Sequence, residues 1–368
     1  MPSVLDIFDE TVTVFGAPGR YVQGPGAMAR VGGCAAQLGR RALLLADAQV
    51  LPLIEAVIKE SCAVQDVALT VLSFAGALGP ATAQDLAAQL PGPRPDCIIA
   101  AGGGRAIDAG KALADRLGLR LITMPTVASN DAPTSKNYVL YDANDHLLEV
   151  RHLARSPDFV IVDTHLLAGA PRAMFAAGLG DALSKRAEAL ACAAGQGTTM
   201  FLSRPPRLAT ATALLSHEVL LAHGKAAYDT AGTGQPTPAF EAAIEAMILM
   251  AGLGFESGGL SVPHALTRGL PLIAGVSHKP HGFQVAYGLV VHHRLLDESM
   301  NTTLTDLYHH AGLPLTLAAL AGRTVTVEEM RLVAEASISV RHMLNFPRPL
   351  TLADLLAAMQ AVEDNAYV

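Results

Sequence analysis

Tryptophan is absent from this chain, only 5% of its residues are aromatic, and only 16% carry charge, while 51% are apolar. An interior built this way fills with closely packed Ala, Leu, Val and Gly rather than with large rings. The high apolar share also favours a protein that covers surface in a homo-oligomer. A clustered basic face is lacking too. The formal net charge is −7, and Arg40-Arg41 and the pair Arg204 and Arg207 are short fragments of a solvated surface. A nucleic-acid backbone therefore has nothing to bind. The four cysteines, Cys34, Cys62, Cys97 and Cys192, form no C-x-x-C pair, which excludes a zinc ribbon or a redox couple and suits free thiols in a reducing cytoplasm. The first thirty residues include Asp6, Asp9 and Glu10 and lack a basic segment followed by an apolar core, so no secretory signal is expected. Apolar runs are broken by charge, Gly or Pro before the length of a bilayer span, so no membrane partner is expected.

What is present divides into two patterns. At 368 residues the chain exceeds one ordinary core. Up to about residue 165, short apolar runs at 41–46, 67–74, 97–101 and 119–124 alternate with helical stretches at 81–89 and 105–117. That alternation predicts a parallel sheet covered on both faces, an α/β domain. From about residue 171, Ala-, Leu- and Met-rich segments with helical spacing follow one another at 180–194, 206–223, 238–253, 327–336 and 352–362, separated by Gly and Pro. They predict an all-α second domain. The expected division is 1–168 and 169–368.

Three features carry chemistry. The run Gly102-Gly103-Gly104-Arg105-Ala106-Ile107-Asp108 follows a strand and opens a helix. Glycines there let backbone amides approach a ligand, and the helix N-terminus offers unpaired N–H groups to a pyrophosphate. The run is neither G-x-G-x-x-G nor a Walker sequence, and a merely tight turn is the competing reading. Asp47 ends an early strand, where an acid can bond an adenosine ribose or simply close a turn. The second feature is the loop 125–135, Pro-Thr-Val-Ala-Ser-Asn-Asp-Ala-Pro-Thr-Ser. It lies at the carboxyl edge of a strand, where α/β sheets bind ligands, and a self-bonded turn is its competitor. The third is distributed over Asp181, His264 and His281, one carboxylate and two imidazoles suited to zinc or ferrous iron. No H-E-x-x-H is present, thirteen histidines allow accidental triples, and His278 competes with His281.

These residues resemble the glycerol dehydrogenases of the iron-containing, group III alcohol dehydrogenase superfamily. The likeness runs from Ala17-Pro18-Gly19-Arg20-Tyr21 through the glycine triplet, Ser129 to Pro133, Val162-Asp163-Thr164 and Gly180-Asp181-Ala182-Leu183 to Gly254-Phe255-Glu256-Ser257-Gly258-Gly259-Leu260 with His264. The resemblance implies a Rossmann-like α/β domain binding NAD, an all-α domain of the dehydroquinate synthase-like fold, and a metal between them, usually zinc and otherwise ferrous iron. It further implies Asp181, His264 and His281 as metal ligands and Gly103, Gly104 and Asp108 at the pyrophosphate and neighbouring groups. Asp47 then falls at the adenine ribose, Thr126 and Ser135 along the nicotinamide half with Ser129 a further cofactor-binding residue, and Asp131 on the hydroxyls of a small polyol.

The chain also departs from that pattern. His281-Gly282-Phe283-Gln284-Val285 stands where H-G-E-K-V is usual, and Thr267-Arg268 replaces a second histidine and its neighbour. Lys185-Arg186-Ala187 stands where T-W-F is usual. Added cations at a polyol pocket open the alternative of a hydroxycarboxylate or phosphorylated polyol, provided that Arg268 or Lys185 reaches the substrate. A lyase of the dehydroquinate synthase kind and a catalytically inactive NAD-binding regulator are the remaining alternatives.

Overall fold

Residues 7–143 and 146–364 are described by a computed structural model; Asp6 lies outside them. Six strands form one parallel sheet: β1 (Arg20–Gly24), β2 (Arg41–Asp47), β3 (Ala68–Phe74), β4 (Cys97–Gly102), β5 (Arg120–Pro125) and β8 (Phe159–Asp163). Their order is β1-β8-β5-β4-β2-β3. β6 (Asn137–Tyr141) and β7 (Leu147–His152) make a separate antiparallel hairpin between β5 and β8.

The runs expected to be strands are strands because both faces of the sheet are covered. Leu44, Ala46, Ile99, Ala101, Ile122 and Met124 face one core with Ile54 and Ile58, whereas Leu43, Leu45, Ile98, Ala100 and Leu121 face another with Leu113 and Tyr138. The alternation has the period of two that a pleated strand imposes. β1 and β7 escape the hydrophobic pattern because they are polar or half exposed.

Beyond β8 the described chain is helical. Asp163 starts this region by accepting the His165 and Leu166 N–H groups, and it also accepts those of Gly26 and Met28, tying the turn after β1 to the end of β8. The long helices Arg172–Ala194, Arg207–Thr230 and His281–Leu295 surround a third core that includes Val160, Val162, Phe175, Phe240, Tyr287 and Tyr308. Arg172–Ala194 begins eight residues before the sequence pattern suggests, since Gly178 and Gly180 interrupt the apolar spacing. Pro238–Gly258 is helical throughout, with a π-helical turn over Glu245–Met250. Its mean hydropathy of 1.4 would suit a membrane, yet half of it is buried inside this fold, and Glu256 in it accepts the Lys136 N–H at 2.7 Å. It is a core helix.

Candidate active site

The polar segments gather at the carboxyl ends of the parallel strands. β4 ends on Gly102, whose φ of 146° suits glycine. A Cβ there would come within 2.6 Å of the Ala106 Cβ and 3.0 Å of the Asp47 Cβ. Glycine thus lets the helix Gly104–Leu117 start directly beside the end of β2. Gly103 is its N-cap and no side chain caps it, so the positive end of the helix is left for a ligand's charge. Asp47, half buried beside this turn, accepts the Gln49 N–H at 2.8 Å.

Asp108 lies deeper. Its Oδ2 accepts the Val139 N–H at 3.0 Å and its Oδ1 lies 3.6 Å from Lys111 Nζ, so the carboxylate ties the helix to β6 from inside. Lys111 also donates to the carbonyls of Ala132 and Asn137, both at 2.6 Å, and lies 3.5 Å from Ser135 Oγ. Sequence reasoning does not single out Lys111. Its signal is a lone ammonium on the buried face of an apolar helix, where charge persists only with partners. The loop 125–135 is thereby held from beneath, with Ser135 on its buried side. Thr126 is buried with an unpartnered Oγ1, while Ser129 is half buried.

Close backbone contacts bring the helices up to this loop. A Cβ on Gly178 would fall 1.9 Å from the Ala128 carbonyl, and one on Gly282 would fall 1.7 Å from the Ala177 carbonyl. The same stretch of Arg172–Ala194 therefore touches both the loop and the start of His281–Leu295. Asp131, Asp181 and His281 converge as a result.

The ligand-type atoms of Asp181, His264 and His281 lie within 4.8 Å of one another. His264 Nε2 is 3.2 Å from Asp181 Oδ1, and the two imidazole centroids are 5.3 Å apart. His278, the competing histidine, is exposed and outside this cluster. The donor set suits zinc or ferrous iron with positions left open. Glu188 completes it: His264 Nδ1 donates to its Oε2 at 2.8 Å, and the Ser261 N–H donates to its Oε1 at 2.8 Å. A carboxylate behind a ligating imidazole fixes the ring and its tautomer. Glu188 is also missed by sequence reasoning, although it stands seven residues, two helical turns, after Asp181.

One more charge occupies the centre. Lys185 is buried, with Nζ 2.7 Å from Asp181 Oδ1, 3.2 Å from Asp131 Oδ2 and 3.2 Å from His264 Nε2. Burial opposes its charge, but Asp131, Asp181 and Glu188 hold its pKa above the ordinary lysine value. Burial likewise opposes ionisation of Asp181, yet Lys185 and His264 keep that carboxyl well below the usual range. Asp131 is pushed up to about 6 by burial, against the pull of Lys185. For Glu188, burial is outweighed by His264, and the carboxyl is held at about 2. His264, desolvated but facing Glu188 and Asp181, is raised to about 9, and a divalent ion held there would take the place of its proton. The other departures lie at the margin. Arg268 is exposed and donates to the Leu147 carbonyl at 3.0 Å, Thr267 donates to the His264 carbonyl, and Phe283 packs partly buried against the helical core.

Comparison with known proteins agrees with this fold. The family model described as iron-containing alcohol dehydrogenase matches residues 18–164. A glycerol dehydrogenase of Escherichia coli is 35% identical over 348 residues, spanning 93% of this chain and 94% of that protein. One from Thermotoga maritima is 34% identical, spanning 96% and 97%. The crystal structure of glycerol dehydrogenase from Schizosaccharomyces pombe superposes with a TM-score of 0.91 at 30% identity, covering 97% of this chain and 92% of that one. This chain belongs to the iron-containing alcohol dehydrogenase family.

Proposed function

We propose that the protein oxidises the secondary hydroxyl of a small vicinal diol, glycerol foremost, to the hydroxyketone, with NAD as hydride acceptor. Zinc, or ferrous iron in its place, would be held by Asp181, His264 and His281. The convergence of those three side chains within 4.8 Å, beside Asp131 at the carboxyl edge of the sheet, is the observation that carries this reading. A bound divalent ion would supply Lewis acidity that lowers the pKa of the substrate hydroxyl. Asp131 would accept the neighbouring hydroxyl and so favour a diol over a simple alcohol. Glu188 would hold His264 in position.

For NAD, Gly103 and Gly104 would receive the pyrophosphate at the uncapped helix N-terminus, Asp47 the adenine ribose, and Thr126 and Ser129 the nicotinamide half. Ser135 and Asp108, both buried behind the loop, would shape that half from below. Residues 1–168 would then form the cofactor unit and 169–368 the metal unit, a division supported by the end of the sheet at Asp163. Four free buried cysteines support a cytoplasmic location. The apolar composition supports a homo-oligomer.

A carboxylated or phosphorylated substrate would require Lys185 or Arg268 to meet the anion. Lys185 is already surrounded by Asp131 and Asp181, and Arg268 is engaged with Leu147, which favours an uncharged diol. Initial rates of NADH formation by metal-supplemented protein on glycerol, 1,2-propanediol, 2-hydroxybutyrate and glycerol phosphates test this, with Asp181→Ala as control. Turnover of the uncharged diols that vanishes in the control is expected. Turnover confined to the charged compounds would overturn it.

A further inference from the structure

The ammonium of Lys185 lies on two of the donor atoms of the candidate metal site. Its Nζ bonds the same Asp181 oxygen, at 2.7 Å, and lies 3.2 Å from the same His264 nitrogen that a metal would use. Those two donor atoms are themselves 3.2 Å apart. A metal bonded to both at about 2.0–2.2 Å would lie no more than about 4 Å from Nζ. Two like charges at that separation, in a site that leaves Lys185 1% exposed, repel with little water to screen them. The ammonium also satisfies Asp131 and Asp181 electrically, removing much of the negative charge that attracts a dication.

We propose that Lys185 is a tethered competitor for the metal position, so that a divalent ion is held at Asp181, His264 and His281 only after the Lys185 ammonium withdraws from Asp181. This rests on the reading of those three residues as metal ligands. Where it now stands the ammonium already has two other partners, Asp131 Oδ2 at 3.2 Å and the face of Phe255 with its centroid 5.7 Å away, toward which the lysine stem can swing when it leaves Asp181. Occupancy of the centre is then an exchange of one cation for another rather than simple filling of an open site. Lys185 thus sets how tightly metal is bound.

Zinc affinity, measured by competition with a chromophoric chelator on the full chain, tests this without reference to turnover. Lys185→Met keeps most of the stem and removes the charge; Lys185→Thr is the second variant should the first not fold, with folding checked by circular dichroism. Either should bind zinc at least about tenfold more tightly than wild type, once the repulsion between ammonium and dication is removed. Equal affinity of wild type and the neutral variants overturns the competition. Asp181→Asn separates the two claims. If it weakens zinc binding in both backgrounds while Lys185→Met has no effect, the ligand assignment stands and the competition fails; if it weakens neither, the ligand assignment fails and the competition falls with it.

Discussion

Glu188 receives the His264 Nδ1 hydrogen at 2.8 Å, from the same helix that supplies Asp181 two turns earlier. Because its other oxygen accepts the Ser261 and His264 N–H groups, Glu188 holds the short helix Val262–Leu266 and the imidazole on it as one unit.

Glu188→Gln is expected to preserve the shape of this contact while removing its charge. Loss of such a partner typically costs 10–100-fold in metal affinity or activity. Zinc titration and kcat/KM on glycerol should both fall by about that factor, with far-UV circular dichroism unchanged. Wild-type values in the variant would remove Glu188 from the site.

Asp131 is assigned to the second hydroxyl rather than to the reacting one. Asp131→Asn should therefore lower the preference for 1,2-propanediol over 2-propanol by roughly 10–100-fold, chiefly through KM for the diol. An equal loss on both alcohols would mean that Asp131 acts on the reacting centre or on folding instead.

Gly282→Ala places a methyl group 1.7 Å from the Ala177 carbonyl by the native backbone path. The helices Arg172–Ala194 and His281–Leu295 must part, at a cost of about 2–4 kcal/mol. Chemical denaturation should register that loss. Zinc affinity should drop in the folded variant, because His281 is the residue next to the clash.

His292 is fully buried, neither of its ring nitrogens has a hydrogen-bond partner, and burial lowers its pKa to about 4. The folded state therefore binds this proton less readily than the unfolded chain, whose histidine titrates near 6.5. Stability contributed by the neutral ring is present above about 6.5 and is lost as pH falls toward 4. In urea melts between those pH values, wild type should lose about 2–3 kcal/mol more than His292→Leu. His217 and His342, lowered in the same sense by burial, should leave a residual slope in the variant. Parallel pH profiles for the two proteins would exclude His292 as a source of acid sensitivity.

Local chemistry accounts for much of what could be read in advance. Runs such as Leu43-Leu44-Leu45 and Ile98-Ile99, short and bounded by turn residues, suit strands covered on both faces, so β2 to β5 and the glycine turn were legible as pattern, whereas β8, equally apolar, was not singled out. β1 and β7 were not, because an edge strand and an exposed hairpin need little apolar surface. Asp181, His264 and His281 were legible as residue types but not as neighbours, since more than eighty residues separate Asp181 from His264 and no local period joins them.

The sequence by itself determined the α/β region, the helical region after it, the glycine turn and the identity of the metal-type side chains, since each follows from short-range pattern or residue chemistry. Only the tertiary structure decided that Glu188 stands behind His264, that Lys111 pins the loop carrying Asp131, and that the Lys185 ammonium lies on Asp181. Those relationships depend on which helix faces meet, and backbone contacts at Gly178 and Gly282 set that meeting. A charged side chain in an apolar helix announces that it has a partner, but only packing names the partner.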